Sequence, residues 1–444
     1  MTKLLLVALL LLPACAEHRQ YRVSTVPVDV AGPLSDKRVQ QSIQSTSIER
    51  YPGYTIGIVE FDDQGRFWDR NQLVALGAEI IRQAHASQDS GVRMLVFVHG
   101  WRNDATVCNE ALACFRELVR RIAADEAATS PKPQPLIGIY VGWRGYGSYR
   151  WPFEFLSFID RKNAAERIAA GDVPEFLAFL DALRRDFNMS RKDPSRLVVV
   201  GHSLGGTIVF EAVANVFKAR LAEVWPGLDI EGNSRVISGF GDLVLLINPA
   251  FEAERWHSIN ELMSTYLSFS KQQQPLLVIA SSETDSATAT WFPLGQWLTN
   301  LFEKTRDTEQ RRALMTSIGN YEPFVTHHLR RADLPAGADE KVDGYIHVKN
   351  CMCDLPDLFP ASDLTRFIAQ PPPNADERDE GWGSQPCAAE QRFGPLLLTC
   401  DPKVHRGNPF WVVRVSSNVL HEHDGAFNPY FMFFVRQLVF GGLR

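Results

Sequence analysis

Ser203 stands between glycines in the run Gly201-His202-Ser203-Leu204-Gly205-Gly206. A serine hydroxyl is a weak nucleophile unless a base takes its proton, and the base needs a third group to fix its tautomer. Two histidines late in the chain could serve as that base. They are His421 and His423, in Asn418-Val419-Leu420-His421-Glu422-His423-Asp424-Gly425. Carboxylates able to orient one of them lie between the serine and the histidines, at Glu252, Glu283 and Asp285. Acyl transfer also requires hydrogen-bond donors aimed at the developing oxyanion. The backbone N–H of Leu204, directly after the serine, is well placed for this.

These residues need a frame. Residues 196–200, Arg-Leu-Val-Val-Val, read as a strand buried on both faces. Residues 207–217 place Ile208, Ala212, Val213, Val216 and Phe217 on one helical face. A strand that becomes a helix with no loop between them must turn sharply, and this leaves Ser203 at the tip with glycines on either side. Further strands are expected at 54–61, 92–98, 136–141, 243–247, 275–280 and 410–415. Helices are expected at 72–86, 110–125, 163–186 and 428–439. Short apolar strands alternating with helices indicate an α/β fold with a mostly parallel sheet flanked by helices. In such sheets ligands bind beyond the carboxyl ends of the strands. The exits of the strands here carry His99-Gly100-Trp101, Gly142-Trp143-Arg144-Gly145, Ser203, Asn248-Pro249 and Ser281-Ser282-Glu283-Thr284-Asp285. Between about 297 and 408 the pattern weakens, and this stretch reads as a large cysteine-containing insertion before the last strand.

The G-x-S-x-G turn, the His-Gly-Trp turn and the order serine, acid, histidine resemble α/β-hydrolases of the lipase and esterase kind. The resemblance runs over about 54–444, with the insertion excepted. It implies the α/β-hydrolase fold and favours Asp285 as the acid, since that family places its carboxylate just past a late strand, with Glu283 and Glu252 as alternatives. It favours His423 over His421, because the family's histidine sits before the last helix and is often followed by a small or acidic residue. It also implies that the N–H of Trp101 is the second oxyanion donor and that His99 shapes the turn. The expected function is hydrolysis of a carboxylic ester, with a lipid ester as one candidate substrate, through an acyl-enzyme with no metal or organic cofactor. Peptidase or thioesterase chemistry would run on the same residues, and a non-catalytic envelope module is the competing class. Trp151-Pro152-Phe153 and Trp291-Phe292-Pro293-Leu294 could form a lid, and Arg144 reads as a structural ion pair or a contact for an anionic substrate group.

The N-terminus adds a location. Lys3 precedes an apolar run, Leu4 to Leu12, followed by Pro13-Ala14-Cys15. The run is too short to span a bilayer and has the size of a signal-peptide core. Leu12-Pro13-Ala14-Cys15 resembles the lipobox of bacterial lipoproteins, which implies a signal peptide over 1–14 and a lipid on Cys15. With Ala16 next, the resemblance points to the outer membrane facing the periplasm. Residues 15–50 are polar and read as a flexible tether able to reach on the order of 100 Å, and 51–444 as the folded domain. Six further cysteines suit disulfides in an exported protein, with Cys108 and Cys114 the most plausible local pair. Cys351-x-Cys353 lacks metal-site spacing. The formal net charge of −6 over 444 residues offers no global basic field for nucleic acid.

Overall fold

A computed structural model of the chain describes residues 18–87, 90–130, 132–147, 154–189, 193–223, 236–266, 269, 273–288, 292–293, 296, 303–334, 347–355, 391–404 and 407–438. In chain order the strands and helices are β1 (Val28–Asp29), α1 (Lys37–Ile43), β2 (Ile48–Tyr51), β3 (Tyr54–Glu60), α2 (Arg70–Ala86), β4 (Arg93–Val98), α3 (Glu110–Thr129) and β5 (Leu136–Gly142). There follow α4 (Glu154–Ala170), α5 (Val173–Asn188), β6 (Arg196–His202), α6 (Leu204–Glu223), β7 (Leu243–Ile247), α7 (Ala253–Tyr266), β8 (Leu277–Ser282) and α8 (Thr308–Met315). The last are β9 (His327–Arg331), β10 (His347–Lys349), β11 (Met352–Asp354), β12 (Gln391–Phe393), β13 (Leu396–Cys400), β14 (Phe410–Val415) and α9 (Pro429–Arg436).

Among the described residues twelve strands form one sheet in the order β1-β2-β3-β5-β4-β6-β7-β8-β14-β9-β13-β12. From β3 to β9 every neighbouring pair is parallel. The antiparallel pairs lie toward the edges, at β2–β3, β9–β13 and β13–β12. Strand side chains alternate between two cores, as the period of two requires. In β6, Leu197 and Val199 pack beneath α2, α4, α5, α6 and α7, whereas Val198 and Val200 pack beneath α3 and α9. Both faces are covered, so the central strands are continuous apolar runs. Asp69 and Asn109 cap α2 and α3 by accepting from backbone N–H groups in the first turn. Asn428 does the same for α9, with Pro429 at its first position.

Four expectations are corrected. Residues 18–50 are not a free tether, because they add β1 and β2 to the sheet and bury Arg22 completely. Arg22 donates to Ala105 O at 2.7 Å and Ile43 O at 2.5 Å, and shares the fully buried carboxylate of Glu49 with Arg116. A charged, glutamine-rich segment can be interior when its charges are paired. Second, Cys108 bonds Cys351 and Cys114 bonds Cys353, so both bridges fasten the start of α3 to the β10–β11 hairpin. Cys108 lies outside the helix and Cys114 within it, and each faces the hairpin rather than the other. Third, β9, β12 and β13 fall inside the 297–408 stretch yet extend the main sheet beyond β14, so part of that stretch completes the fold. Finally, the single helix expected over 163–186 is two, α4 and α5, broken at Gly171.

Candidate active site

The site forms where β6 meets α6. Ser203 has φ of 55°, a left-handed conformation costly for a residue with a Cβ. It is held there from below. Its N–H donates to Ile247 O at 3.0 Å and its carbonyl accepts from Ala250 N at 3.2 Å. Gly205 lets α6 meet β4, since a Cβ at that position would lie 2.1 Å from Val98 O. On the other side, a Cβ on Gly100 would lie 2.7 Å from Ser203 Cβ, so the turn that leads into Trp101 abuts the serine. Leu204 is the first residue of α6, where backbone N–H groups lack helical partners and the helix dipole favours negative charge.

The sequence-expected residues converge on this point. The Ser203 hydroxyl lies 2.7 Å from His423 Nε2. The opposite ring nitrogen, Nδ1, lies 3.0 Å from each carboxylate oxygen of Asp285. Ser203 and Asp285 are buried, and the His423 side chain is 19% exposed. Burial opposes charge on the His423 ring, but the carboxylate and hydrogen bond of Asp285, with Asp424 and Glu422 nearby, outweigh it and raise the pKa above the ordinary histidine value. Burial likewise opposes ionisation of Asp285. The charge and hydrogen bond of His423 and the bonds from Thr288 outweigh it and hold the carboxyl below its usual range.

The rival residues take no part in this hydrogen-bonded series. Glu252 is buried in an ion-pair cluster with Lys162, at 2.7 Å, and Arg255. Glu283 is exposed, and His421 Nδ1 has no hydrogen-bond partner among the described residues. Arg144 pairs with Asp63, which also receives Arg161 at 3.0 Å. Phe292 is buried in the core, while Trp151-Pro152-Phe153, Trp291 and Leu294 lie outside the described residues. His99 is locked as a neutral turn residue. Its Nδ1–H donates to Gly100 O at 2.9 Å and its Nε2 accepts from Trp143 N at 3.1 Å. Burial, the largest influence, pushes its pKa down to about 4.

Two residues emerge that sequence reasoning gave no role. His202 donates from Nε2 to His423 O at 2.9 Å. Burial and the neighbouring His423 ring lower its pKa, which keeps it a neutral donor. Asn248, at the end of β7 with φ of 44°, bridges both loops. Its amide nitrogen donates to Glu422 O at 3.0 Å and His423 O at 2.9 Å, and its amide oxygen accepts from Ser282 N at 2.8 Å. The one signal available in sequence was a polar Asn-Pro closing an apolar strand. Thr284 and Glu422 tie the same loops directly, with Glu422 N donating to Thr284 Oγ1 at 3.2 Å and Ser286 Oγ donating to Glu422 Oε2 at 2.9 Å.

Among the described residues no three His, Cys, Asp or Glu side chains are grouped as a metal would require. A cavity of about 490 Å³ lies on the sheet face beneath α3 and α9, lined by Phe97, Phe115 and Val200 among others and by none of Ser203, Asp285 and His423.

A model of the family described as "Alpha/beta hydrolase family" matches residues 95–426 of the chain. Its span holds Trp101, Ser203, Leu204, Asp285 and His423. No curated protein matches. Among solved structures the chain is similar to the phospholipase PlaB from Legionella pneumophila, at 15% identity over 44% of this chain and 40% of that one, with a TM-score of 0.22. The chain thus spans about two fifths of that phospholipase. It is also similar to an esterase B from Lactobacillus rhamnosis, at 15% identity over 52% of this chain and 79% of that one, with a TM-score of 0.19. A third likeness is to an uncharacterized protein from Pseudomonas aeruginosa, at 11% identity over 52% of this chain and 42% of that one, with a TM-score of 0.19.

Proposed function

The chain belongs to the alpha/beta hydrolase family, and on that premise we propose that it is a serine hydrolase that cleaves carboxylic esters through an acyl-enzyme. The observation that carries this reading is the hydrogen-bonded series Ser203 Oγ, His423 and Asp285, with 2.7 Å and 3.0 Å between successive groups. In the first step the Ser203 oxygen attacks the ester carbonyl while its proton passes to His423 Nε2. The Nδ1–H bond to Asp285 fixes the tautomer that leaves Nε2 free to accept, and stabilises the imidazolium that forms. The N–H groups of Leu204 and Trp101 receive the negative charge on the carbonyl oxygen. The tetrahedral adduct collapses, the alcohol leaves with the proton from Nε2, and the acyl group stays on Ser203. Water, deprotonated by His423, then attacks the acyl carbonyl, and the acid departs as the serine regains its proton.

Export and a lipid on Cys15 complete the proposal, because Leu12-Pro13-Ala14-Cys15 has the form of a lipobox after a short apolar run. The enzyme would then act in the cell envelope, on the outer membrane facing the periplasm. The test is hydrolysis of p-nitrophenyl esters of graded chain length by the full chain. Wild type should turn them over, and Ser203→Ala should lose roughly a thousandfold or more of kcat. Undiminished hydrolysis by Ser203→Ala, or none by folded wild type across the ester series, would overturn the reading.

A further inference from the structure

We infer that the sheet edge carrying Ser203 is held against the lipid leaflet that anchors Cys15, so that the site draws its ester from the membrane surface. This rests on the proposed acylation of Cys15. A free tether over 15–50 would leave the domain's orientation open. The structure replaces that tether with a docked segment. The His18 ring packs on Trp68, with centroids 4.9 Å apart. The backbone N–H groups of Tyr21 and Arg22 donate to the two carboxylate oxygens of Glu60, at 2.9 and 2.7 Å. Buried Arg22 is the bolt that holds this segment, through Ala105, Ile43 and Glu49. Two residues, Ala16 and Glu17, separate Cys15 from His18, and an extended chain covers the three steps in about 10 Å.

Strand register locates the docking point. Glu60, the last residue of β3, pairs with Gly142 of β5. One residue earlier, Val141 pairs with Val98 of β4, and Val98 pairs with Gly201 of β6. Glu60 is therefore level with His202, which precedes the nucleophile, and three strand spacings away, about 14 Å. The docked segment at Tyr21 and Arg22 therefore stands at the same carboxyl edge as Ser203. Two of the exposed large apolar side chains also lie there: Val23, next to the bolt, and Tyr146, in the loop after β5, at 62% and 43% exposure. A lipid held about 10 Å from His18 can reach the leaflet most directly when this edge faces it. The opposite edge, where Met189 follows α5, is then turned to the aqueous side.

The test compares two positions on the full, lipidated chain in phosphatidylethanolamine–phosphatidylglycerol vesicles that contain an acceptor-labelled lipid. A donor dye is attached through an unnatural amino acid at position 146 or at position 189, both exposed and neither in the catalytic machinery. The seven-residue strand β6 alone separates the two edges by about 23 Å. Energy transfer to the acceptor should therefore be roughly twofold stronger from 146 than from 189. Inserting a flexible Gly/Ser linker of about forty residues between Glu17 and His18 should make the two equal. Metabolic labelling with an alkynyl palmitate, with Cys15→Ala as control, runs in parallel. Label on Cys15 with equal transfer from both positions would overturn the orientation while leaving the anchor standing. No label on Cys15 would overturn the anchor and the orientation together.

Discussion

The amide nitrogen of Asn248 lies 2.9 Å from the carbonyl oxygen of His423, joining the end of β7 to a loop 175 residues further along the chain. The same side chain accepts from Ser282 N, three residues before Asp285. One amide thus sets the loop of the base against the loop of the acid.

Removing that amide should misplace the base without touching substrate. Asn248→Gly keeps the left-handed backbone at low cost and removes the side chain. Its kcat should fall about 10- to 100-fold with KM little changed, since displacements near 1 Å cost that much when reacting groups must align. Asn248→Asp retains an acceptor for Ser282 but has no donor for the two carbonyls, and should be no better. Steady-state kinetics on a soluble ester checks both. Wild-type kcat in Asn248→Gly would mean that the amide does not position His423.

The pH dependence follows from the direction of the His423 shift. His423 must be neutral to accept the Ser203 proton, and its folded pKa lies above the ordinary value. The rate kcat/KM should therefore rise with pH, with a midpoint above about 6.5. Asp285→Asn removes the charge that raises this pKa. Its midpoint should move down while the maximal rate falls by roughly a thousandfold or more. A pH-stat series on a short-chain ester reads both quantities, and an unmoved midpoint in Asp285→Asn would contradict the coupling.

Gly205 and Gly100 separate folding from chemistry. A Cβ at Gly205 would meet backbone oxygens of Val98 and His99 at 2.1 and 2.5 Å, so α6 must move off β4. Gly205→Ala should lose about 1–3 kcal/mol or more of stability, measured as the midpoint of denaturant unfolding. A Cβ at Gly100 would press on Ser203 Cβ at 2.7 Å, so Gly100→Ala should lose activity well before stability.

Much of this architecture was legible because it is local. The β6–turn–α6 unit announces itself through a β-branched run, closely spaced glycines and a helical period, and the choice of Asp285 and His423 among the candidates at the strand exits came from the family resemblance. What stayed hidden depends on partners remote in sequence. The disulfide partners of Cys108 and Cys114 are 243 and 239 residues away, and spacing along the chain favours a nearer pairing. Arg22, Glu49 and Arg116 are charged residues, which in sequence look solvated. Only the fold shows that the two guanidinium groups share the Glu49 carboxylate in the interior. His202 and Asn248 are single polar residues with no periodic signature, and their roles exist only once the β6 and β7 exits stand beside the His423 loop. Short strands rich in histidine and arginine, such as β9, give no alternating apolar pattern and so read as insertion.

The nucleophile itself is tested most directly by mass spectrometry after treatment with a fluorophosphonate. Wild type should gain one phosphonyl adduct, mapped to the peptide that contains Ser203. The adduct should be absent from Ser203→Ala and form far more slowly in His423→Ala that retains a native circular dichroism spectrum. Folded wild type left unmodified under conditions that label a known serine hydrolase, or an adduct that persists in Ser203→Ala, would contradict the assignment of Ser203 as the nucleophile.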